Sequence, residues 1–174
     1  MTKKLITITS MAILLIMAGG LASCESTGDV EHDSDLIESV LPNEGIAAFF
    51  EQHLPSFSGF ISELFFVGQN GNRVIVINSM NELRRHVSST SVELPDIDFN
   101  SYTLIIGQQQ MSGTGYRLID QSLVVGSRML ELTLTVEVPE GSFTIICPLY
   151  FWGLFPKLPR RSINVNVVFI PTYH

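Results

Sequence analysis

Apolar and polar residues alternate along several stretches in the second half of this chain. Between positions 130 and 138, Leu and Val occupy every second position, and Glu or Thr stands between them. Because successive side chains of a strand point to opposite faces, this pattern predicts a strand with one buried and one solvated face. Similar apolar runs separated by turn residues surround it. They predict five strands, over 102–110, 116–125, 129–138, 143–152 and 162–170.

Two short helices are predicted before these strands. Asn43 is a suitable N-cap for a helix that runs to about His53, and Pro55 ends it. Residues three and four positions apart give this helix one apolar face, namely Ile46, Phe49, Phe50 and Leu54. The run Ser79-Met80-Asn81-Glu82 matches a capping box, which predicts a second helix through about His86.

Between the two helices, the sequence has the pattern of a β-hairpin. The β-rich runs 63–67 and 73–78 are separated by Gly68-Gln69-Asn70-Gly71-Asn72. With the five later strands joined by short connections, the chain is predicted to form an antiparallel meander. The fold class is therefore α+β, mainly β: an antiparallel β-sandwich or roll of about seven strands, with two short helices in the N-terminal third.

The first 24 residues have the order of a secretory signal. Lys3 and Lys4 precede an apolar stretch over 5–18, and Gly19 and Gly20 follow it. The ending Leu21-Ala22-Ser23-Cys24 resembles the lipobox of bacterial lipoproteins. This resemblance implies that residues 1–23 are a signal peptide and that Cys24 carries a lipid such as palmitate. It also implies a place in the bacterial cell envelope, in the outer membrane, with its periplasmic or surface-exposed face left open.

Acidic residues dominate the segment that follows Cys24. Six acidic residues and neither Lys nor Arg occur between Cys24 and Pro42, so we predict that residues 24–42 are a solvated tether and that 43–174 form a single strand-rich domain. Removal of the signal peptide leaves 8 of the 10 basic residues against 17 acidic ones, a formal net charge of −9. Nucleic acid is an unsuitable partner for so acidic a chain, because binding to phosphates requires a basic patch.

The sequence contains no motif for catalysis, metal binding or cofactor binding. The four His residues lack metal-ligand spacing, and no nucleophile elbow, P-loop or dinucleotide fingerprint is present. Cys147 lies in an apolar run and is predicted to be buried and inert. With Cys24 lipidated, it also has no partner for a disulfide bond. We therefore expect a protein that is not an enzyme and that needs neither metal nor cofactor.

A glycine-rich segment, Ser112-Gly113-Thr114-Gly115-Tyr116, is one candidate binding element, although a plain hairpin turn is an alternative. Together with Asp98-Phe99 before it and Pro148 after it, this segment resembles the C-terminal domain of PrcB-type lipoproteins over residues 95–170. The resemblance implies an accessory subunit of a bacterial surface protease complex. The run 113–116 also resembles the Thr-Gly-Tyr loop of chagasin-like protease inhibitors, whose other two inhibitory loops have no counterpart here.

An aromatic segment over 150–155 is the second candidate binding element. It contains Tyr150, Trp152 and Phe155 and is similar to a segment of small Bacteroides-type lipoproteins of unknown function. Strand alternation predicts that Tyr150 and Trp152 are buried and that Phe151 lies on the other face. If Tyr150, Trp152 and Phe155 were instead exposed together, they would form a surface for a protein or a sugar.

These patterns lead to one functional expectation with two alternatives. The chain is expected to be a non-enzymatic lipoprotein, held to the membrane by the lipid on Cys24, that binds a protein partner as an accessory subunit of an envelope complex. The first alternative is a glycan-binding module that uses Trp152. The second is a protease-inhibitor-like domain that uses the loop 112–116.

Overall fold

The computed structural model describes residues 35–141 and 145–172. The predicted signal peptide, the lipidation site Cys24 and the first part of the predicted tether lie outside the described residues. The described parts form two helices and seven strands. In chain order these are β1 (Asp35–Ile37), α1 (Glu44–His53), β2 (Arg73–Ile77), α2 (Met80–Arg85), β3 (Tyr102–Met111), β4 (Arg117–Val125), β5 (Met129–Val138), β6 (Cys147–Pro156) and β7 (Ser162–Pro171).

The strands form two sheets that pack as a sandwich. One sheet has the order β1-β4-β5-β7, and the other has the order β2-β3-β6. The predicted mainly β sandwich of about seven strands is confirmed. All five strands predicted after position 100 are present, although β6 begins and ends later than expected because it pairs along its whole length with β3.

The predicted meander is wrong, because consecutive strands do not all pair. β3 pairs with β6, β4 pairs with β5, and β7 lies parallel to β5. The burial patterns explain this sorting. β3 and β6 are buried at most positions, so other elements must pack on both of their faces. In β5 only every second residue is fully buried, and its other face is open to solvent. Strands of the same type therefore belong to the same sheet.

The predicted hairpin over 63–78 is also wrong. β2 pairs with β3, and residues 63–67 form no regular strand. Phe66 has a positive φ of 56°, which interrupts an extended chain. Leu64, Phe65 and Phe66 are nevertheless buried, so their apolar run fills the core as an irregular segment instead of forming a strand.

Both predicted helices are confirmed by their caps. The side chain of Asn43 accepts a hydrogen bond from the Ile46 N–H at 2.9 Å, and that of Ser79 accepts from the Glu82 N–H at 3.1 Å. Only α1 lies in the N-terminal third of the chain, and the predicted position of the second helix is corrected accordingly. Neither helix in the described parts is long and apolar enough to cross a membrane.

The domain has two hydrophobic cores, one on each face of the three-stranded sheet. The core between the two sheets includes the alternating residues of β5, as predicted: Leu130, Leu132, Leu134 and Val136 are all buried. The second core lies between the three-stranded sheet and the helices, and it includes Phe50, Leu83 and Leu104. The three-stranded sheet is therefore the middle layer of the domain.

The ordered domain begins earlier than the predicted boundary at position 43. β1 lies within the segment predicted as tether, and it pairs with β4, where Asp35 is opposite Val125. Further along, the Val40 N–H donates a hydrogen bond to the Leu154 carbonyl at 2.7 Å. Acidic composition alone does not distinguish a solvated tether from a short edge strand, because an edge strand also tolerates charged residues on its exposed side.

Candidate functional site

The aromatic segment lies on β6, and two of its three candidate residues are buried. Tyr150 and Phe155 are 3% and 0% exposed, so they do not form an exposed binding surface with Trp152. The Tyr150 hydroxyl accepts a hydrogen bond from the Ser62 N–H at 3.1 Å. Burial raises the pKa of Tyr150 above its usual value, and this hydrogen bond opposes the rise. Both residues stabilise the domain from within.

Alternate residues of β6 enter different cores. Tyr150, Trp152 and Leu154 lie on the helix side, whereas Phe151 and Phe155 lie between the sheets. The prediction that Phe151 lies on the other face is correct. That face is covered by the four-stranded sheet, because β6 belongs to the middle layer of the domain.

Trp152 is the one candidate aromatic of β6 that is only partly buried. Its ring stacks on the ring of Phe50 from α1, with a centroid distance of 5.0 Å and an interplanar angle of 27°. Trp152 is also one of the residues that line an open cleft of about 300 Å³. This space, which we call the Trp152 cleft, lies where β4 and β6 come close at one side of the sandwich.

Four segments of the chain enclose the Trp152 cleft. One wall is the segment 39–42, and a second is formed by Glu51 in the last turn of α1 and by Ser56 shortly after the helix. The other two walls are residues 118–121 of β4 and 152–154 of β6. The pairing of β4 with β5 has a bulge between Leu118 and Asp120 at this point. A bulge changes the direction of the side chains around it and is common beside functional sites.

A hydrogen bond between side chain and backbone joins the β4 and β6 walls of the cleft. The Gln121 Nε2 donates to the Trp152 carbonyl at 2.8 Å. Gly153 leaves room for this contact, since a Cβ atom there would lie 2.8 Å from the same nitrogen. The backbone of Trp152 is therefore held from the opposite sheet.

The loop 112–116 is bound to the segment that follows α1. The buried Ser58 hydroxyl donates to the Gly113 carbonyl at 3.0 Å and accepts from the Tyr116 N–H at 2.9 Å. The Gly115 N–H also donates to the Ser58 carbonyl, at 3.1 Å. Gly113 and Tyr116 are buried, while Thr114 and Gly115 are exposed. The loop lies against the domain as a closed turn instead of projecting from it.

The two candidate elements do not form one site. The loop follows Met111, which is opposite Cys147 in the β3–β6 pairing, whereas Trp152 is opposite Ile106. Along β6, five residues of extended strand separate the position opposite the start of the loop from Trp152, a distance of about 17 Å. The binding surface that would combine Gly113, Thr114, Gly115 and Tyr116 with Trp152 is therefore absent from the described domain.

β7 presents a feature that was not predicted from the sequence. It is the last strand of its sheet, so one of its edges has no neighbouring strand among the described residues. None of its ten residues is charged, and Val168 and Phe169 remain 47% and 54% exposed. The rings of Phe169 and Tyr116 also contact each other edge to face, with a distance of 6.2 Å between their centroids. The absence of charge over this strand was visible in the sequence, but its edge position was not.

Other candidate residues have local structural roles. Hydrogen bonds from the Ser101 hydroxyl and the Asn100 N–H hold the pKa of Asp98 below its usual value. Cys147 is buried, as predicted. No group of three His, Cys, Asp or Glu side chains is placed to hold a metal ion in the part of the chain that the structure describes.

The chain matches no protein-family model, no curated protein and no solved structure. The resemblances to PrcB-type, chagasin-like and Bacteroides-type proteins therefore stay predictions. Two surfaces of the described domain have features that suit binding: the open edge of β7 and the Trp152 cleft.

Proposed function

We propose that this protein is a non-enzymatic, lipid-anchored protein of the bacterial cell envelope whose sandwich domain binds another protein along β7. The observation that supports this function best is the open, uncharged edge of β7. A partner that adds a strand there would make this chain an accessory subunit of an envelope complex. The anchor is supported by the sequence up to Cys24.

Natural sheet edges usually carry devices that prevent pairing with other chains. These are charged side chains, internal prolines, bulges or very short strands. β7 has ten residues, and its single proline, Pro171, stands at its end. Its pairing with β5 is regular throughout, without a bulge. An added strand would form hydrogen bonds along the edge that has no neighbouring strand among the described residues, and it would cover Val168 and Phe169. Several peptide-binding domains hold their ligands in this way.

The anchor is tested by replacing the cysteine that would carry it. We expect that Cys24→Ser abolishes incorporation of a palmitate analogue and moves the protein from the membrane fraction to the soluble fraction, because no thiol remains at the lipobox. Click detection of the analogue and detergent partitioning measure both effects. Cys147→Ser, which changes the only other cysteine, should leave labelling intact. Labelling that persists in Cys24→Ser would contradict the anchor.

The β7 edge is tested by placing a charge on it. We expect that Val168→Lys lowers capture of the partner from envelope extract by about tenfold, because the ammonium group would lose water where a new strand packs. Quantitative crosslinking and mass spectrometry measure the capture. Thr135→Lys is the matched control, since Thr135 is the register partner of Val168 on the interior strand β5. Equal capture by wild type and Val168→Lys would refute the role of the edge.

Protease inhibition receives no comparable support from the geometry. An inhibitory loop must enter the cleft of its target, but the loop 112–116 is hydrogen-bonded to Ser58 and leaves mainly Ser112, Thr114 and Gly115 on the surface. We therefore do not include inhibition in the proposal.

A further inference from the structure

We infer that the Trp152 cleft is a binding site for one neutral sugar ring. This inference concerns the seam between β4 and β6, and it depends neither on the lipid anchor nor on the edge of β7. Its basis is the combination of one aromatic platform with three polar side chains from two elements: Glu51 from α1, and Asp120 and Gln121 from β4.

The platform is supplied by Trp152. One face of its indole is supported by Phe50, and Trp152 is only partly buried and is one of the residues that line the cleft. The face of an aromatic ring carries partial negative charge, and it attracts groups with partial positive charge. The C–H bonds on one face of a pyranose are such groups, and they are also weakly hydrated. A sugar ring can therefore lie against the indole.

The polar residues of the cleft suit hydroxyl groups. Ionised carboxylates are hydrogen-bond acceptors only, and their bonds are stronger than those of neutral acceptors. Glu51 and Asp120 can therefore accept from the hydroxyls of a sugar, and the Gln121 amide adds an oxygen acceptor. Neither lysine nor arginine occurs among the described residues that line the cleft. An anionic ligand would meet two carboxylates without a compensating charge, so a neutral ligand is favoured over an anionic one.

The size of the cleft limits the ligand. Its volume of about 300 Å³ is at the lower end of the usual range for small-molecule sites, which is roughly 300–1,000 Å³. A single ring fits this space better than a folded peptide segment does. Openness on one side leaves room for the rest of a glycan chain to continue into solvent.

The cleft is also organised before a ligand arrives. Stacking on Phe50 and the bond from Gln121 to the Trp152 backbone hold the indole in place, and the hydrogen bond from Val40 to Leu154 fixes the opposite wall. Groups that are already ordered lose little conformational entropy on binding. A small ligand with few contacts can therefore bind measurably.

Trp152 is the only tryptophan in the chain, so its fluorescence reports on the cleft directly. The experiment uses the mature chain from residue 24 with Cys24→Ser and titrates it with glucose, galactose, mannose and N-acetylglucosamine. We expect a saturable change in emission with at least one sugar, together with protection of Trp152 from acrylamide quenching. No change with any of the four sugars at high millimolar concentration would overturn the inference.

Variants of the two exposed carboxylates show whether the effect belongs to the cleft. Asp120→Asn and Glu51→Gln should each weaken the sugar affinity by at least about tenfold, because each loses charge-assisted hydrogen bonds. Glu131→Gln, on the outer face of β5, is the control and should bind as wild type does.

Choline distinguishes a cation site from a sugar site, since an ammonium group would also be attracted to an aromatic face between carboxylates. Saturable binding of choline without binding of sugar would overturn the inference, as would equal affinities in all three variants.

Discussion

Gly107→Ala should lower the free energy of unfolding by about 3 kcal/mol. Gly107 lies on β3 directly opposite Phe151 of β6, and the ring of Phe151 crosses over it. A Cβ atom at position 107 would lie 2.0 Å from the Cζ of Phe151 and 2.6 Å from both of its Cε atoms. Phe151 is 1% exposed within the core between the sheets, so its ring cannot move away without displacing other core residues. Urea unfolding measures the change.

Two comparisons separate this overlap from a general effect of alanine. Gly45→Ala in α1 has only the Asn43 Oδ1 near the added methyl group, at 3.5 Å, and should stabilise the domain by about 0.5–1 kcal/mol. Gly107→Ala combined with Phe151→Leu should recover part of the lost stability, because the smaller side chain vacates the space. An unfolding midpoint of Gly107→Ala equal to that of wild type would show that the packing around Phe151 is different.

Ser58→Ala should cost about 2–4 kcal/mol of unfolding free energy. The Ser58 hydroxyl satisfies the Gly113 carbonyl and the Tyr116 N–H, and both bonds are buried. Without the hydroxyl, both backbone groups remain in the interior without this partner, and each such loss costs roughly 1–3 kcal/mol. We also expect faster proteolysis within 112–116, since the loop is released from the segment after α1. Thermal unfolding and limited proteolysis measure the two effects.

Ser88→Ala is the matched control for this experiment. The Ser88 hydroxyl also donates to a backbone carbonyl, that of Glu63 at 2.7 Å, but this bond is exposed and water can replace it. The control should lose less than about 1 kcal/mol and leave proteolysis of the loop unchanged. Equal losses of unfolding free energy in Ser58→Ala and Ser88→Ala would mean that the buried hydrogen bonds of Ser58 stabilise the domain no more than an exposed one does.

Features that depend on near neighbours could be predicted from the sequence. The alternation on β5 identified its buried face, and the caps at Asn43 and Ser79 identified both helix starts, because these structures require only residues a few positions apart. The same local information gave the positions of the five later strands.

Strand pairing could not be predicted in the same way. β3 pairs with β6 across the whole β4–β5 hairpin, and β7 is parallel to β5, so the partner of each strand depends on which faces the other layers cover. The run 63–67 has the composition of a strand, but Leu64, Phe65 and Phe66 are buried in the core without forming one. A pattern of apolar and polar side chains shows which residues must be buried. It does not show which strand or helix covers them.

The candidate cleft was only partly predictable for a similar reason. The sequence makes Trp152 a candidate binding residue, because it is the only tryptophan and lies in an aromatic run, with burial in a strand as the alternative. Glu51 and Asp120 were missed, because α1 and β4 are distant in the sequence and meet only in the folded domain. Tyr150 and Phe155 were included with Trp152 because composition does not show that β6 lies in a covered middle layer.

The parallel pairing of β7 with β5 affects the order in which the domain can assemble. Ile163, Val165 and Val167 of β7 pack against the core between the sheets, so this core stays incomplete until residues 162–171 have been made. Contacts between strands that are distant in sequence also form slowly. For the exported protein that the N-terminal sequence predicts, such late closure would keep the chain unfolded while it passes through a narrow translocation channel.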